Sequence, residues 1–188
     1  MAERVRVRFD EDLRRRRLAV LLRLPLAVPP ALAVAAWTIA AAVAIVIAWP
    51  ATAALGRTPR PLHRLLVGYV RGWAQLTAWL DLVSGRYPVL RCRSWHPVQV
   101  YAPRVRQPRV GVVFRPALVL PGIVLGSVLG VVLGGAAVAA WFVALALGRT
   151  TEGLRELGAF CLRYQIETLA YLLLLSPAPP RLEPPDHN

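Results

Sequence analysis

The sequence predicts an all-α membrane protein: two tandem helical hairpins, about four membrane helices in all, with a small extended, β-like basic connector on the cytoplasmic side. Three observations predict it. Two long runs carry no charge, the chain matches itself at an offset of 92 residues, and arginines cluster at matching places around the runs.

The runs are Leu24–Leu55 and Pro116–Leu147. Eighteen or more apolar residues in a row mark a helix that can cross a bilayer. Each run, as one helix at 1.5 Å per residue, would be about 48 Å long, against a hydrocarbon core of ~30 Å. Either each helix protrudes and tilts, or Pro29, Pro30, Pro50 and Pro121 interrupt the runs near their ends, the reading preferred here. The expected spans are Ala31–Leu55 and Gly122–Leu147, with the lead-in segments on the membrane surface. The whole chain is 56% hydrophobic with a mean hydropathy of +0.49, too apolar for an ordinary soluble domain.

At the offset of 92, Ala54-Leu55-Gly56-Arg57-Thr58 falls on Ala146-Leu147-Gly148-Arg149-Thr150. Arg17 falls on Arg109, Arg23 on Arg115, Pro29 on Pro121 and Trp49 on Trp141. Arg71, Ser84 and Pro88 fall on Arg163, Ser176 and Pro180. Apolar runs match each other by composition, so the Trp, Arg, Pro and Gly-Arg-Thr matches carry the signal. They divide the chain into a basic segment 1–16, a membrane repeat 17–90, a connector 91–108, a second repeat 109–182 and a tail 183–188.

Each repeat reads as a basic lead-in, an apolar span, a Gly-Arg-Thr turn and a second helical segment. Those second segments are Leu62–Val83 and Leu154–Leu175. Their periodicity is helical. In the first, Arg64, Gly68, Arg71 and Gln75 share one face; in the second, Glu156, Arg163 and Glu167 repeat the polar stripe. In the second apolar run, Gly122, Gly126, Gly130 and Gly134 recur every four residues, a spacing that lets another helix approach closely.

Charge sets the expected topology. The chain holds 23 basic and 10 acidic residues, net +13, and every basic residue is Arg. Such a balance suits nucleic acid, anionic lipid or a topology signal. A nucleic-acid partner is not expected, because no soluble basic domain with interleaved aromatics is present. If only the two long runs crossed, the connector with its arginines would face outside, against the positive-inside rule. Four spans with both termini inside satisfy that rule. So does a form with re-entrant runs and surface amphipathic helices. Within the connector side, Arg4–Phe9 alternates, as do Val98–Tyr101; the two stretches could pair as a small sheet or lie against anionic headgroups.

The residues Gly56-Arg57-Thr58-Pro59, Leu62, Gly68, Arg71, Trp73, Trp79 and Tyr87-Pro88 form a pattern that resembles the bacterial, mostly actinobacterial, membrane-protein family of domain of unknown function 4389. The second copy keeps Gly148-Arg149-Thr150, Leu154, Arg163, Tyr171 and Pro180. It has Gln165 in place of the Trp and Pro179 in place of the Tyr. The resemblance implies a membrane protein and no particular activity; the apolar runs and the arginine distribution predict a multi-pass protein of the inner, cytoplasmic membrane.

No catalytic constellation is present, and the scattered His63, His96 and His187 with Cys92 and Cys161 lack metal-ligand spacing. No cofactor is expected. The expected partners are the bilayer, anionic headgroups through the Arg-rich segments, and a further copy or a membrane complex. Arg71 and Gln75, with Arg163 and Glu167, are spaced at i and i+4 and would form an intramembrane polar centre. The role read first is structural or accessory, acting through helix packing. A small transporter or channel subunit using the polar centre is the alternative, and a lipid-modifying enzyme comes last.

Overall fold

The computed structural model describes residues 6–8, 22–81, 87–88, 99–102, 109–147, 151–177 and 179. The elements run in the order β1 (Arg6–Arg8), α1 (Arg23–Leu55), α2 (Arg60–Leu80), β2 (Gln99–Tyr101), α3 (Arg109–Leu147) and α4 (Glu152–Leu172). β1 pairs antiparallel with β2, with Val7 opposite Val100. Most of the connector, Cys92, His96, His187 and Gly148-Arg149-Thr150 lie outside the described residues.

The prolines do not interrupt the long helices as expected. α1 continues through Pro29, Pro30 and Pro50, and α3 starts at Arg109 and runs through Pro116 and Pro121. A proline inside a helix costs the bond to the carbonyl four residues earlier. For Pro30 that carbonyl belongs to Leu26, and the Tyr87 hydroxyl donates to it at 3.2 Å. A side chain from beyond α2 thus replaces the lost backbone donor.

α1 and α2 form one hairpin, α3 and α4 the other. Gly56 closes α1 with φ 65°, and its N–H donates to Thr52 at 2.8 Å. A left-handed residue at this place satisfies an orphan carbonyl, which glycine does without strain. α2 follows with Pro61 in its first turn, where a missing N–H costs nothing. α4 starts after Thr151 with Glu152 facing the positive end of the helix.

The hairpins pack head to tail. The turn of the first lies at the open end of the second: Thr58 Oγ1 donates to the Leu174 carbonyl at 3.4 Å. The turn end of the second lies at the open end of the first: Trp141 Nε1 donates to the Leu80 carbonyl at 3.2 Å. α1 touches α3, and α2 touches α4, so the four helices make two layers. β2 lies against α2. The two hairpins therefore run in opposite directions along the bundle.

The layers differ in character. Ile39, Val46, Val131 and Phe142 on α1 and α3 are 71%, 72%, 79% and 71% exposed. The buried side of α1 is a narrow seam of Ala27, Val34, Ala41, Ala44 and Ala48. On α2, by contrast, Leu66, Tyr69, Val70, Ala74, Leu76, Ala78 and Trp79 are buried. The core joins both hairpins, with Val70 and Ala74 in one cluster with Leu162, Ile166 and Leu174.

Candidate functional site

Arg23 and Arg115 are the buried charged side chains among the described residues, 3% and 2% exposed. Each sits in the first turns of a long helix and reaches the C-terminal end of the following helix. Arg23 Nη1 donates to the Trp79 carbonyl, and its guanidinium lies 5.0 Å from the centre of the Trp79 ring. Arg115 Nη1 donates to the Tyr171 carbonyl at 2.8 Å and to that of Ser176 at 3.1 Å, with its guanidinium 4.4 Å from the Tyr171 ring centre. The last carbonyls of a helix lack intrahelical donors and form its negative end. A guanidinium there supplies donors, cancels part of the dipole and stacks on an aromatic face. Each arginine is thus a latch that closes the open end of its hairpin.

The two latches stand 92 residues apart, as do Trp79 and Tyr171. The same offset relates Asp81 to Leu173, which end α2 and α4 with one backbone conformation, φ −81° and ψ 14°. It also relates two apolar grooves at the seam between hairpins. One is lined by Leu80, Asp81, Trp141 and Phe142, the other by Leu172, Leu173, Trp49 and Pro50.

The match is not perfect, and its departures have causes. Trp141 Nε1 has its carbonyl, whereas the buried Trp49 Nε1 has no hydrogen-bond partner. Pro30 is answered by Gly122 in the second hairpin, a residue that keeps its backbone N–H. The residue answering Tyr87 is accordingly Pro179. The open end of the first hairpin therefore carries a larger cluster, with Tyr87 edge-on to Trp79 at 5.2 Å and 77°.

The polar residues expected at mid-helix lie elsewhere in the bonding scheme. Arg163 Nε meets Glu167 Oε1 at 3.0 Å within α4, both half-buried. Gln75 is 1% exposed, and neither its amide nitrogen nor its oxygen has a partner. Arg71 is half-buried on α2 and engaged in an interaction of its own. Of the glycines, Gly126 and Gly130 face their own hairpin partner, where a Cβ would come within 3.9 Å of Tyr164 and 3.0 Å of Gln165. Gly122 is buried. Gly134 faces open space. A tighter place lies outside the glycine stripe: a Cβ at Gly68 would meet Trp37 Cζ2 at 2.6 Å.

Burial also acts on Asp81, which caps α2 outside both long apolar helices. It pushes that carboxyl up to about 7.

Residues 109–182, which contain the second hairpin and its latch, match a family described as a domain of unknown function (DUF4389). No curated protein and no solved structure matches the chain. The stretches Pro25–Leu55 and Ala117–Ala146 are long and apolar enough to cross a membrane, and only 22% and 11% of their most apolar windows are buried. A helix at the core of a soluble protein would be mostly buried.

Proposed function

We propose that this chain is an integral protein of the cytoplasmic membrane with a structural or accessory role, formed from two copies of one hairpin unit. The observation that carries this reading is the exposure of α1 and α3. Their apolar surface is continuous and faces outward, and only an apolar medium covers such a surface without a large penalty. The buried arginines support the structural role, because each closes a hairpin by donating to a carbonyl at its open end. Anionic lipid headgroups would meet the arginine-rich segments. A second copy or a membrane complex would meet the open side of α3 at Gly134.

The test is to separate membranes, wash them at alkaline pH and measure the size of the detergent-extracted protein. Retention after the wash, with a mass above one chain plus its detergent, is the expected result. Release by the wash contradicts membrane embedding, and a monomer without partners contradicts the accessory role.

One observation favours the transport alternative. Gln75 is a buried amide with both polar atoms unmet, a cost that a polar ligand or water would relieve. In proteoliposomes that reading requires ion or solute flux that falls in Gln75→Leu and Arg163→Ala while the fold survives. The structural reading requires no flux in the unaltered protein.

A further inference from the structure

The head-to-tail packing bears on how the bundle sits in the membrane. Stood upright, it would place the Arg23–Asp81 end and the Arg115–Ser176 end on opposite faces of the bilayer. The chain between them, residues 82–108, would then have to cross the hydrocarbon. That stretch contains Arg86, Arg91, Arg93, Arg104 and Arg106, and arginine is among the residues least tolerated at the bilayer centre. Its central strand, β2, lies against α2, which is not one of the two long apolar helices. An upright bundle is therefore at odds with the chain's own connector.

Laid flat, the same bundle satisfies every constraint. Its two layers then have distinct surroundings. α1 and α3 form the apolar layer, with Ile39, Val46, Val131 and Phe142 exposed. α2 and α4 form the other layer, where Arg60, Arg64, Glu152 and Glu156 are exposed. A helix with its side chains is about 10 Å across, so one helical layer fits within the ~15 Å hydrocarbon of a single leaflet. The strand pair then lies on the α2 side, at the headgroups. The axis relating the two hairpins would stand along the membrane normal, which is why inverted hairpins can share one membrane face.

We infer that the protein is seated in the cytoplasmic leaflet alone, with α1 and α3 among the acyl chains, α2 and α4 at headgroup depth, and no segment crossing to the outer face. This rests on the membrane reading above. The lipid partner is a single anionic leaflet, with its acyl chains against α1 and α3 and its phosphates against the arginines. The chain then has no trans-bilayer route, and the open end of each hairpin is accessible from the cytoplasm.

The experiment uses the full chain with Cys92 and Cys161 replaced by Ala. Single cysteines are placed at Arg57, Ser94, Thr151 and Asp186, in right-side-out and inverted membrane vesicles. A membrane-impermeant maleimide reads accessibility. All four positions labelling only in inverted vesicles is the expected result. Arg57 and Thr151 labelling from opposite faces would overturn the inference in favour of an upright, head-to-tail bundle. Both labelling from the outside would overturn the head-to-tail packing as well. An alkaline wash of the same vesicles that releases the protein would overturn the membrane reading itself. Spin labels at Ile39, Val46, Val131 and Phe142 supply an independent readout. A common depth, judged by oxygen and nickel-chelate collisions, is expected; depths graded along each helix would overturn the flat seating.

Discussion

The arginine latches carry the sharpest expectations among single residues. Arg115→Ala removes two bonds to carbonyls and leaves them uncovered in a buried place, which costs on the order of 2–4 kcal/mol. Thermal unfolding in detergent should show a clear fall in midpoint. Arg115→Lys should recover little, because an ammonium cannot bond two carbonyls and stack flat on Tyr171 at once. Tyr87→Phe removes the hydroxyl that serves the Leu26 carbonyl, a loss of about 1 kcal/mol. The same change in a Pro30→Ala background should cost less, since an alanine in place of the proline returns a backbone donor to that carbonyl. A double-mutant cycle on the unfolding midpoint reads the coupling. Asp81 gives a pH signature. Its carboxyl holds a proton more tightly when folded than at its ordinary value of 3.8, so stability is highest below about 4 and falls as pH rises toward 7. Asp81→Asn should remove that fall and raise the midpoint at pH 8. The latches were half legible in the sequence. The offset paired Arg23 with Arg115, but their burial depends on each long helix continuing through its prolines to the far end of its partner. Local proline rules gave a break there instead, and nothing local marks Tyr87 as the substitute donor.

At the level of elements, the helices were largely legible. The second segments were expected at Leu62–Val83 and Leu154–Leu175 and form at Arg60–Leu80 and Glu152–Leu172; their amphipathic period is strong enough to place them within a few residues. The glycine spacing marked a close approach without naming the approaching helix. Gly126 and Gly130 meet α4 of their own hairpin, and the geometry ranks substitutions at Gly68, outside the stripe, against two within it. Gly68→Ala presses a methyl group into the rigid Trp37 ring and should cost about 1–3 kcal/mol. Gly130→Ala meets only the end of the flexible Gln165 side chain and should be close to neutral. Gly134→Ala meets nothing and should stabilise the monomer fold by up to about 1 kcal/mol through helix propensity. The ranking is read by unfolding midpoints of the three variants. The polar stripe shows the limits of spacing arguments. Arg163 and Glu167 pair as their i, i+4 spacing suggests, while Gln75 at the matching place is buried without a partner. Spacing fixes the face a residue shares, not the depth to which that face is buried.

The whole molecule turns on the relative direction of its two hairpins. Charge counting could not supply it. Arginines at both open ends satisfy the positive-inside rule whether upright hairpins run parallel or the bundle lies flat in one leaflet, because the rule reads sides and not directions. The direction is set by long-range contacts: Thr58 with Leu174 and Trp141 with Leu80. Leu174 is held at φ 60° at that meeting point, a conformation that costs a leucine roughly 1–2 kcal/mol. Its N–H bonds to Tyr171, whose carbonyl the Arg115 latch also serves, so one small cluster fixes both the hairpin end and the inter-hairpin contact. The most direct test of the account is therefore a distance across the bundle. Spin labels at Arg57 and Pro177, measured by pulsed electron resonance, should lie close together, while labels at Arg57 and Thr151 should lie apart by about the length of α2, ~30 Å at 1.5 Å per residue. A short Arg57–Thr151 distance with a long Arg57–Pro177 distance would mean parallel hairpins and would contradict the account.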